Sequence, residues 1–110
     1  MPRDFCVYGH LAALDDTELR ACSMFLHGYE CEIPETAVLD FVHEGHFLDV
    51  DNDLKGLMAI LGPNARGVID VINHQDWEMH RYTLHGGTLH RKRIALDNAL
   101  DTAYASERKS

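Results

Sequence analysis

Cysteine and histidine deserve the first look, because Cys22, His27, Cys31, His43 and His46 lie close together in sequence and are ligand types that zinc prefers. Their spacing argues against a site. Structural zinc ligands usually come in pairs two to four residues apart, whereas Cys22 and Cys31 are nine apart, and His43-Glu44-Gly45-His46 lacks the H-E-x-x-H separation. Cysteines on apolar faces and histidines near a helix C-terminus, where the dipole favours imidazolium, account for these residues without a metal. Calcium is suggested by Asp49-Val50-Asp51-Asn52-Asp53, which matches the first ligand positions of an EF-hand loop. The sixth position is then Leu54 instead of Gly, and the twelfth is Ile60 instead of a bidentate Glu, so capping of a following helix is the better use of these acids.

Nucleophilic chemistry finds little to work with. Ser23, Ser106 and Ser110 stand outside any G-x-S-x-G context, and no Gly-rich phosphate loop follows a strand. Asp70 and His74 would share a face of a helix, the carboxylate orienting the imidazole, but without a nucleophile the pair defines no reaction. No catalytic residue, metal or cofactor is expected. Arg81, Arg91, Lys92 and Arg93 form the one basic patch, and His80, His85 and His90 would add charge there on mild acidification. Its charges are few and no recognition-helix pattern accompanies them, so direct nucleic-acid binding is not expected. Pairing of this patch with the protein's own acidic segment, within one chain or between two in a homodimer, explains it equally well.

Charge is the most informative global property. The 110 residues carry a formal net charge of −8, but residues 1–78 hold fifteen acids against four bases while residues 79–110 hold three against six. Between residues 21 and 54 there is no Lys or Arg, and Glu30, Glu32, Glu35, Asp40, Glu44, Asp49, Asp51 and Asp53 all fall there. Such a segment repels phosphate at long range and attracts a basic protein surface. Acidity of this size also serves solubility without specifying a partner.

The elements that must position these residues are read from periodicity. Phe5 to Tyr8 suits a short strand, although His10 to Leu14 could begin a helical turn. Asp15, Asp16 or Thr17 caps a helix through Leu26, with Gly28 able to stop it. Pro34 suits the first position of a second helix, with Val38, Leu39 and Val42 apolar and Gly45 at its end. Asp51, Asn52 or Asp53 caps a third, in which Leu54, Leu57, Met58 and Leu61 recur at helical spacing before Gly62-Pro63. Residues 64–74 are read as a helix with Ala65, Val68, Ile69 and Ile72 inward, a buried strand being the alternative for so β-branched a run. Gly86-Gly87 marks a two-residue hairpin turn that pairs Leu84 with Leu89, Tyr82 with Arg91 and His80 with Arg93. From Ile94 to Ser106, Leu96, Ala99, Leu100, Ala103 and Tyr104 form the apolar side of an amphipathic helix.

The expected architecture is a single α+β domain over residues 1–110, with three to five helices packed on a small antiparallel sheet that includes the hairpin. Cys6, Cys22 and Cys31 are odd in number and lack C-x-x-C spacing, as reduced thiols do. Gly9 and His10 interrupt the apolar stretch after Asp4, so the pattern of a signal peptide is missing, and no run nears the ~20 apolar residues of a membrane span. A cytoplasmic protein is expected. The expected function is that of a small, acidic, non-enzymatic interaction protein that binds and blocks the basic, nucleic-acid-binding surface of a larger one. The eight acids between residues 30 and 53 would be the contact residues. Such a protein resembles, in class and not in motif, the phage-encoded inhibitors of host defence such as anti-CRISPR proteins. The alternatives are a metal- or ligand-dependent enzyme using the histidines, and a small DNA-binding regulator using the basic hairpin.

Overall fold

The computed structural model describes residues 5–95, in which two helices pack against one face of a six-stranded, wholly antiparallel sheet. Strand β1, Phe5–Ala12, places Phe5, Val7, Gly9 and Leu11 towards the helices and Cys6, Tyr8 and His10 on the opposite face. Helix α1, Asp16–Phe25, begins with a reciprocal capping box: the Glu18 N–H donates to Asp15 (2.7 Å) and the Asp15 N–H to Glu18 (2.9 Å). Strands β2, Glu30–Glu32, and β3, Leu39–Gly45, follow. Helix α2, Val50–Ile60, is capped by Asp49 and buries Val50, Leu54 and Leu57 at positions i, i+4 and i+7. Strands β4, Arg66–Asn73, β5, Glu78–His85, and β6, Thr88–Ala95, complete the sheet in the order β2-β3-β1-β4-β5-β6.

The core lies between the inner sheet face and the helices, where Val7, Leu11, Phe41 and Ile69 meet Cys22, Leu26 and Leu57. Glu18 adds a long-range tie, its carboxylate accepting the Gly62 N–H at 2.6 Å and so joining the start of α1 to the end of α2. Among the described residues no helix is long and apolar enough to cross a membrane.

This architecture corrects the expectation of three to five helices on a small sheet, because two segments read as helices are strands. The segment after Pro34 becomes a loop and then β3, whose Leu39 and Phe41 are buried with period two. The helical reading grouped Val38, Leu39 and Val42 and left out Phe41, the largest side chain of that run and one of the most buried. Residues 66–73 form β4, paired in full register with β1 on one side and β5 on the other. Its β-branched residues serve both faces, Ile69 and Val71 inward and Val68 and Ile72 outward, and that suits a central strand. Asp70 and His74 therefore share no helix face. The strand at Phe5 extends to Ala12, longer than expected, and α2 starts at Val50 under an Asp49 cap instead of under Asp51, Asn52 or Asp53.

Other expectations hold. The hairpin has the expected register, Leu84 with Leu89, Tyr82 with Arg91 and His80 with Arg93, around Gly86 (φ 60°) and Gly87 (φ 78°). Helix α1 ends within two residues of its expected limit. In the amphipathic helix expected from Ile94, the first two residues belong to β6 and the remainder lies outside the described residues.

Candidate functional site

Because both described helices lie on one side, the outer sheet face has no helix of residues 5–95 over it. Tyr8 and Val68, in its two middle strands, are 39% and 38% exposed. Cross-strand register organises this face into rows. One row runs Glu30, Val42, Tyr8, Asp70, Arg81 and Lys92 from β2 to β6, and the next runs Glu32, Asp40, His10, Val68, Thr83 and His90. A third carries Glu44, Cys6, Ile72, Met79 and Ile94. The face is acidic at the β2–β3 edge, mixed in the middle and basic at the β5–β6 edge.

Polar contacts lock the middle of this face. Arg81 grips Asp70 with two hydrogen bonds (2.7 and 3.0 Å), which hold its guanidinium above its ordinary pKa. His10 Nδ1 meets Asp40 at 2.6 Å, and the Tyr8 hydroxyl donates to Glu44 at 2.6 Å. That bond to a carboxylate, more than burial, raises the Tyr8 pKa. A shallow depression of about 330 Å³ between Tyr8, His10, Asp40 and Val68 lies in the same region.

The eight acids singled out from sequence separate into two groups. Glu30, Glu32, Asp40 and Glu44 share the outer face on β2 and β3, and Glu35 lies in the loop between those strands. Asp49, Asp51 and Asp53 instead begin α2, on the far side of the sheet. Asp49 accepts the Asn52 N–H (3.2 Å), Tyr82 donates to Asp51 (2.9 Å) and Tyr29 donates to Asp53 (2.8 Å). Two tyrosines thus clamp the helix N-terminus, and burial followed by the bond to Asp53 raises the Tyr29 pKa. The basic patch separates likewise: Arg81 and Lys92 point outward, while Arg91 and Arg93 share the inner side with Tyr82 and His80. Arg93 binds Glu78 (2.6 and 3.1 Å) and holds that carboxyl below its ordinary pKa.

A crevice of about 490 Å³ opens between α2 and the hairpin, walled by Leu54, Met58 and Leu89 with Lys55, Tyr82 and Arg91 at its polar side. It adjoins a smaller one of about 180 Å³ at Phe47, Glu78 and His80. His80 Nδ1 is buried and meets no hydrogen-bond partner among the described residues. Among the described residues, none of those lining either crevice is Ser, Thr or Cys. Cys22 is fully buried in the core, which pushes its thiol up to about 11, and His43 Nε2 is held by the His46 carbonyl at 2.8 Å. Among the described residues no three His, Cys, Asp or Glu side chains converge as a metal-holding group.

Sequence reasoning missed Tyr8, His10 and Val68 as face residues and Tyr29 and Tyr82 as clamps. The alternation in Phe5–Ala12 carried a signal for the first two; nothing local signals the clamps, whose partners are 24 and 31 residues away. Protein-family profiles, characterised proteins and solved structures offered no match to the chain.

Proposed function

We propose that this protein is a non-enzymatic interaction module that uses the β2–β3 edge of its outer sheet face to dock onto the basic, nucleic-acid-binding surface of a larger protein. The observation that carries the reading is the alignment of Glu30, Glu32, Asp40 and Glu44 on two neighbouring strands of one face, with Glu35 in the loop joining them. Strand neighbours lie about 4.8 Å apart and alternate residues about 7 Å apart, so these carboxylates form a compact negative patch on a rigid support. Such a patch presents charge at spacings a phosphate-binding surface accepts, and it speeds encounter with a cationic partner. Asp49, Asp51 and Asp53 serve the fold, through capping and the tyrosine clamps, and are left out of the docking patch.

The test is affinity capture with three baits: the wild type, a Glu30→Lys/Glu32→Lys/Glu35→Lys/Glu44→Gln variant, and an Asp16→Lys control on the helix layer. The partner should be retained by the wild type and the control, lost by the patch variant, and released from the wild type by added nucleic acid. A partner held equally by all three baits would refute the assignment of the patch.

A further inference from the structure

We infer that the outer face also fits a second copy of itself, about a two-fold axis running parallel to the strands between β1 and β4. Three strands lie on each side of that line. Rotation about it exchanges β2 with β6, β3 with β5 and β1 with β4, so each row of one copy meets the same row of the other in reverse order. Glu30 then faces Lys92 of the second copy, and Glu32 faces His90 of the second copy. Val42, between Asp40 and Glu44, faces Arg81 of the second copy, and Tyr8 faces Asp70 of the second copy. Both members of every pairing occur twice, as an isologous interface requires.

The charges select this axis. A two-fold axis perpendicular to the strands would lay β2 on β2 and stack Glu30 and Glu32 on their own copies, which costs energy with nothing gained. Stacked sheets pack about 10 Å apart with strands inclined by about 30°, so register is closest at the axis and splays towards the edges. Tyr8 and Val68, both exposed, lie beside the axis where the sheets are closest, and the charged Glu30, Glu32 and Lys92 lie at the edges. Six strands of this length present a face on the order of 500 Å² per copy, near the lower limit for a specific interface, and both copies carry −8 overall. A weak, reversible dimer results, with Kd on the order of micromolar or above.

Because self-association uses the basic edge and partner docking does not, the two ideas fail separately. Sedimentation equilibrium of the full chain tests the dimer. Glu30→Lys/Glu32→Lys changes the net charge from −8 to −4 by replacing two acids with two bases, so it lowers the general repulsion between copies. The proposal nevertheless expects it to dissociate at least about tenfold more readily, because both edges become basic. His90→Glu/Lys92→Glu makes both edges acidic and should be monomeric too, while leaving the docking acids intact. Mixed in equal amounts, the two variants should pair, since one copy is then basic at both edges and the other acidic at both. Circular dichroism confirms that each is folded, and Val68→Arg, beside the axis and opposite His10 of the second copy, should also be monomeric, by steric block where the two sheets lie closest.

A wild type that stays monomeric, variants that dimerise as the wild type does, or a mixture that fails to pair would each overturn the inference. A face covered by the chain's own residues 96–110 would appear as the first outcome. Dimers formed through a strand edge would appear as the second.

Discussion

Replacing Gly9 with Ala tests the register of β1 against β3, and two effects of opposite sign compete there. Alanine in a strand interior loses less backbone entropy on folding than glycine and would stabilise an open position by about 0.5–1 kcal/mol. Gly9, however, lies directly opposite Phe41, and a Cβ built on it clashes with the outer end of the Phe41 ring. That ring is 1% exposed and is held edge-on by Tyr29, with centroids 5.3 Å apart at 88°. Carbon atoms need separations of about 3.5–4.0 Å, so ring or strand must move by more than about 1 Å in an interior with no room to give. Overpacking of this kind costs about 1–3 kcal/mol and outweighs the entropy gain. In a domain of this size each kcal/mol lowers Tm by about 4–8 °C, which puts the expected drop at roughly 5–20 °C. Thermal melts of Gly9→Ala, Phe41→Leu and the double variant form a cycle in which removal of ring atoms should relieve the alanine, with a coupling of about 1 kcal/mol or more. A Gly9→Ala protein that melts at or above the wild-type temperature, or two effects that simply add, would show that Gly9 and Phe41 are not opposed.

Gly86→Val and Gly87→Val should each destabilise the domain by about 1–3 kcal/mol, since φ values of 60° and 78° are strained for a β-branched residue; unchanged melting for both would place the turn elsewhere. Burial and the Asp53 bond raise the Tyr29 pKa above its ordinary value near 10, so its neutral form is favoured in the native state. The associated stability is complete below about pH 10 and is lost as pH rises beyond it. Tyr29→Phe should therefore reduce stability at neutral pH and flatten its decline in alkali, as followed by urea melts and phenolate absorbance; an unaltered alkaline slope would refute the clamp.

What could be read from the chain itself were the features governed by neighbouring residues. The helix cap among Asp15, Asp16 and Thr17, the apolar positions of α2 and the glycine pair of the hairpin act within a few residues, where spacing and backbone preference suffice. The acid-only stretch from residue 21 to residue 54 was equally plain, but its division into an outer patch and a helix cap was not. β3 and β4 escaped for a related reason. Runs such as Val68-Ile69-Asp70-Val71-Ile72 satisfy a helical and an extended pattern alike, and the choice is made by β1, whose backbone pairs with both strands from 28 to 68 residues away. Register across that sheet also carried Glu30 and Lys92 to opposite edges of one face and turned Arg91 to the other side. Charge content belongs to the sequence, whereas which charges share a surface depends on pairings between distant strands, which only the tertiary structure decides.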